Sequence, residues 1–212
     1  MIATEGTQAR RCCLRDPIPE IFEAAALLKR AVDYHLAGER TEASVLFKAA
    51  DMKVVWEWTD SIWGKRDPNI HTIRHVENAP PYLPRAERRK ARMPTAAEKK
   101  ALIDHWGYRC AFCGIPLIRA RIRERAVRQY PEAVQWGGKT TLQHAAFMAM
   151  WMQFDHIIPH ARGGTNDSDN MVVTCAACNF GRMNYTLDEM GLIDPRARPV
   201  TKIDWDGLEQ FK

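Results

Sequence analysis

The chain has 212 residues, room for one catalytic domain plus a small second one, and 46% of them are hydrophobic, which allows a packed core and excludes global disorder. The formal net charge of +5 is unevenly placed: residues 85–130 hold thirteen Lys/Arg against four acids, a local +9, so the remainder sums to −4. The polar stretch Met1 to Asp16 lacks a secretory apolar centre and the longest apolar run, which starts at Ala145 and ends before Gln153, is far too short for a bilayer, so a soluble, cytoplasmic protein with no membrane partner is expected.

Asp16-Pro17-Ile18-Pro19-Glu20 reads as a helix start, with proline near the first turn and acids around it. Ile21, Ala24, Ala25, Leu28 and Val32 then recur at helical spacing until Gly38. Thr41 can cap a second helix carrying Val45, Leu46, Ala49, Met52 and Trp56. The spacing predicts a helical hairpin over 17–64. Tyr34, Gly38, Ala43, Phe47 and Ala50 resemble one tetratricopeptide-type repeat, but no second copy follows, and a solenoid needs about three to bury a continuous core. An ordinary antiparallel helix pair is the better reading. Such an N-terminal element suits docking of a regulatory protein.

Consecutive prolines in Ala79-Pro80-Pro81-Tyr82-Leu83-Pro84 remove donors and fix the backbone, marking a linker. The expected division is a helical region over 1–84 and a catalytic region over 85–212. Within the second, Thr95-Ala96-Ala97-Glu98 has the pattern of a capping box opening a short helix towards Trp106.

A non-secreted chain should keep its cysteines as thiols or metal ligands. Cys110-Ala-Phe-Cys113 and Cys175-Ala-Ala-Cys178 are two CxxC knuckles, each able to grip one ion from a tight turn. Together they predict a tetrahedral, structural Zn2+ with no open position for chemistry; a redox CxxC is the alternative. Cys12 and Cys13 have no matching partners and are expected to be free thiols.

Between the knuckles come Phe154-Asp155-His156-Ile157-Ile158-Pro159-His160, then Gly163-Gly164-Thr165-Asn166-Asp167 and Asn170-Met171-Val172-Val173. The pattern is strand, glycine turn, strand, then a helix near the second knuckle. An Asp-His pair in an apolar strand costs several kcal/mol unless partners or a metal satisfy it. Neighbouring strand residues face opposite ways, so a bulge or the strand's end must present both.

Read in order from Tyr108 to Arg182, these motifs and the CxxC-Asn resemble the HNH endonuclease family. The resemblance implies an α+β fold: a small ββα-metal nuclease domain stapled by zinc, here preceded by the helical hairpin. It implies that His156 is the general base, that Asp155 and Asn179 ligate a catalytic Mg2+ or Mn2+, and that Asn170 braces the loop and orients the His156 ring. Arg182, one turn beyond Asn179, matches a basic position that can hold phosphate. Asn179 stands where histidine is common, and its neutral oxygen favours a hard ion. His160 is a second candidate ligand or base, though a loop histidine is the plainer reading. The chemistry fits independently, since neutral histidine can take a proton from water near neutral pH and one divalent ion can stabilise phosphoryl charge. The expected function is metal-dependent hydrolysis of DNA phosphodiesters, with double-stranded DNA as partner, 5′-phosphate and 3′-hydroxyl products, and a setting in phage defence or a mobile element. An RNase with the same site, or a catalytically silent zinc-stapled binding module, is the alternative.

The insertion over 114–154 separates the first knuckle from the Asp-His strand. Arg119, Arg121, Arg123, Arg125 and Arg128 crowd its first part and are expected to contact phosphates. Its methionines read as core filling.

Overall fold

The computed structural model describes residues 9–63 and 67–212. The sequence readings for residues 1–8 and for the hairpin's end at 64 lie outside the described residues. The first apolar stripe forms α1, Pro19–Leu36, with proline in its first turn and Ile21, Ala24, Ala25, Leu28, Ala31 and Val32 buried. The expected second helix is two helices. α2, Arg40–Ala49, ends where Asp51 turns its Oδ1 to accept from the Ala145 backbone N–H (2.6 Å), and α3, Lys53–Trp63, then starts afresh. Helical spacing cannot reveal this break, because the group that uses Asp51 is 94 residues away.

After the proline-rich stretch, the capping box forms as expected. Thr95 and Glu98 satisfy each other's backbone N–H groups and open α4, Ala96–Trp106. The insertion carries α5, Ala120–Gln129, and the short α6, Ala145–Ala149. Two strands, β1 (Met152–His156) and β2 (Met171–Cys175), pair antiparallel from Met152↔Cys175 to His156↔Met171. α7, Ala176–Arg182, follows at once. The architecture is thus α+β: helices around one two-stranded antiparallel sheet.

One apolar core runs across the expected boundary at residue 84. Phe47 of α2 stacks on Phe147 of α6 (6.4 Å between centroids, 25° between planes) and meets Phe211 near the C-terminus (5.7 Å). α3 packs on α6 and α7, so the N-terminal helices buttress the back of the sheet-helix unit. Among the described residues no helix is long and apolar enough to cross a membrane.

Candidate active site and metal centre

The first knuckle hangs on the sheet: the Ala111 N–H donates to the Val173 carbonyl of β2 (2.9 Å). That bond brings Cys110 and Cys113 to Cys175, the last residue of β2 and N-cap of α7, and to Cys178 inside α7. The four Sγ atoms lie within 4.8 Å of one another, with Cys113 and Cys175 3.7 Å apart. A tetrahedral zinc shell with Zn–S of about 2.3 Å puts its sulfurs about 3.8 Å apart, so the cluster fits a metal ion such as zinc. Burial works against ionising Cys110, but hydrogen bonds from the other three cysteines and Thr174 hold it well below the usual thiol value. Cys12 and Cys13 are free.

Asp155 and His156 are the last two residues of β1, and no bulge is needed to present them. The strand's end is the device: the chain leaves the sheet there, the Ile157 N–H still reaching the Asn170 carbonyl (2.8 Å), and turns at Pro159. Both side chains are buried and border one cleft of about 700 Å3, together with His160 and Asn179. Asn179 lies on α7, and its amide has no hydrogen-bond partner among the described residues.

The turn between the strands is built on Gly164, where a Cβ would sit 1.7 Å from the Ile158 carbonyl oxygen, so only glycine fits. Asn170 closes it: Oδ1 accepts from the Ile158 N–H (2.8 Å), while Nδ2 donates to the Ile158 and Thr165 carbonyls (3.1 and 2.9 Å). Asn170 therefore braces the loop, but its amide is consumed there and does not touch the His156 ring. The ring's partner is Asn166, whose Oδ1 accepts from His156 Nε2–H at 2.8 Å. Burial is the main cause holding the imidazole below its usual value, with the Asn166 bond and Asp155 pulling the other way. His156 is accordingly neutral, and able to accept a proton, near neutral pH.

Arg182 departs from its expected role. It is 1% exposed, and all five of its N–H donors are spent inside the protein. Nε and Nη2 grip Asp155 Oδ2 (3.2 and 2.7 Å), Nη1 donates to the Ile157 and Tyr185 carbonyls (3.3 and 2.8 Å), and Nη2 also reaches the His156 carbonyl. No donor is left for a phosphate. Arg182 instead neutralises and aims the Asp155 carboxylate, whose other oxygen accepts from the His156 N–H (2.8 Å). Arg182→Met should leave that carboxylate buried without its countercharge and cost about 3–5 kcal/mol of stability in urea unfolding. Asp155→Ala should carry a comparable cost from the other side.

The arginines of the insertion also differ from expectation. Arg119 and Arg121 pair with Glu209, Arg125 donates to the Phe211 carbonyl, and Arg123 is buried between the rings of Trp136 and Trp151 (3.9 and 4.8 Å from the centroids). Arg128 is exposed at the end of α5, and none of the five borders the cleft. The first four fasten α5 to the C-terminal tail and to a tryptophan pair. The cations that do border the cleft are Arg85, Arg88, Arg89, Lys90 and Arg92, on the extended strap between the proline-rich stretch and α4. The strap is tied down by its backbone: Leu83 N–H donates to the Ala161 carbonyl (2.9 Å), and the Arg89 carbonyl accepts from His160 Nε2–H (2.9 Å). Arg162, paired with Glu189 (2.8 Å), donates to the Pro80 carbonyl (2.7 Å) and stacks over Tyr82 (4.1 Å). The density of cations around residue 90 is visible in the sequence; its position over the Asp-His strand is not.

No curated protein and no solved structure matches the chain. Residues 147–190, which contain both strands, the glycine turn and α7, match the family model described as HNH endonuclease. The strap and the first knuckle lie outside that match. Over that segment, which builds the cleft around Asp155, His156 and Asn179, the chain is similar to the HNH endonuclease family.

Proposed function

We propose that the protein is a divalent-metal-dependent endonuclease that hydrolyses DNA phosphodiester bonds in the cleft between the strap and the sheet. The observation that carries this reading is the meeting of His156, Asp155 and Asn179 in one cleft bordered by five strap cations. His156, its Nε2–H engaged, has the Nδ1 lone pair left to take a proton from the attacking water. The lone pair left on Asp155 Oδ1 and the unpartnered Asn179 amide oxygen form a hard donor set, which fits Mg2+ or Mn2+. Such an ion, when bound, stabilises charge on the phosphoryl and leaving oxygens. Because Arg182 already offsets the Asp155 charge, substrate phosphate is needed to complete a strong ion site. The strap arginines and Lys90 supply forks and point charges for successive phosphates.

The deciding assay follows cleavage of plasmid, linear duplex, single-stranded DNA and RNA with Mg2+, Mn2+ and EDTA. Metal-dependent cutting of DNA is the expected result; cutting of RNA alone would transfer the site to an RNase, and binding without cutting under every condition would make the domain a binding module. The strap has its own test. Replacing exposed Arg85, Arg89, Lys90 and Arg92 by Gln should lower the salt slope of duplex binding by about one unit for each phosphate no longer neutralised. Replacing Arg119, Arg121 and Arg125 should leave that slope unchanged.

A further inference from the structure

Asn166 stands at the junction of the base, the glycine turn and the basic strap. Its Nδ2 donates to the Ala91 carbonyl of the strap at 3.2 Å. A carbonyl can only accept, so this bond fixes which way the amide faces and presents Oδ1 to His156. Oδ1 in turn can only accept, so Nε2 of His156 must carry the ring proton, at 2.8 Å, and Nδ1 must be the basic nitrogen. Asn170, at the other end of the same loop, spends its amide on Ile158 and Thr165 and cannot do this work.

We propose that Asn166 is the positioning residue for His156, selecting its Nε2–H tautomer, and that the strap sets Asn166 through the Ala91 carbonyl. The proposal rests on the reading of His156 as the base. A second bond runs parallel to it, since His160 donates to the Arg89 carbonyl two residues earlier in the strap. The backbone of the strap thus reaches both neighbours of the base while its cationic side chains border the cleft.

Two variants separate the two bonds. Asn166→Ala removes both, whereas Asn166→Asp keeps an acceptor for His156 and removes the donor to Ala91. Asn166 is half-buried in a loop, so both variants should retain zinc and melt close to wild type. Asn166→Ala should lower turnover at saturating substrate roughly 10- to 100-fold, as removal of a group that orients a catalytic or ligating histidine does, while Asn166→Asp recovers most of that loss. Both should raise KM alike, because both untie the strap. Nitrogen NMR of the His156 ring at mildly alkaline pH should show the Nε2–H form in wild type and Asn166→Asp, and a mixture of the two tautomers in Asn166→Ala. An unchanged tautomer in Asn166→Ala, or equal turnover losses in the two variants, would overturn the assignment. The ring spectrum needs no cleavage, so it decides the role of Asn166 even if the protein proves not to cut nucleic acid.

Discussion

Cys175→Ser should unfold the sheet-helix unit. The residue is the last of β2, a member of the four-sulfur cluster and the N-cap of α7, its Sγ accepting from the Cys178 N–H (3.4 Å). A structural zinc contributes about 10–16 kcal/mol of binding free energy that is also folding free energy, and a domain's whole margin is about 5–15 kcal/mol. Weakening such a centre by one ligand therefore removes more than small local interactions can replace. The first knuckle is tied to β2 mainly by the cluster and by the Ala111 to Val173 bond, so releasing it also exposes the edge of the sheet. The checks are elemental analysis of the purified protein and thermal unfolding of wild type, Cys175→Ser and Cys110→Ser. Folded wild-type protein containing no zinc, or serine variants with unchanged melting, would sink the assignment. A strong chelator should lower the wild-type transition as the substitutions do, and added Zn2+ should restore it.

His156→Ala should cost about 100- to 10,000-fold in turnover, the range that general-base catalysis supplies. The loss should fall on the chemical step. His156 sits beneath the strap and makes no interaction that binding to the strap cations requires, so KM and the salt slope should stay near wild type. The fold should survive, since the ring's one hydrogen-bond partner, Asn166, remains half-exposed to water. Asn179→Ala should instead move the metal concentration needed for half-maximal activity upward, because it removes an oxygen donor and leaves the base intact. These two variants are cleaner than Asp155→Ala, which strands the Arg182 guanidinium in the interior. Wild-type turnover in His156→Ala would end the base mechanism. A matching shift of metal requirement in His156→Ala and Asn179→Ala would make the histidine a ligand instead.

What the sequence determined by itself were the features written in local spacing. Two CxxC pairs, the Thr95–Glu98 box, the Asp-His pair and the glycine turn each depend on residues within a few positions of one another, and each is present in the structure as read. Turn and cap geometry is set by nearest neighbours, which is why residue type and spacing suffice there. The tertiary structure decided where each arginine spends its donors. Arg182 looked like a phosphate site one turn beyond Asn179, but its carboxylate partner lies 27 residues back, on β1. Arg121 and Arg125 looked like an arm beside the site, but their partners are Glu209 and Phe211 at the far end of the chain. Asn166 was part of a motif read in order, yet its role depended on a strap carbonyl 75 residues earlier. A guanidinium or an amide is defined by what accepts or donates to it, and those partners are brought together by packing over long sequence separations, which no local pattern encodes.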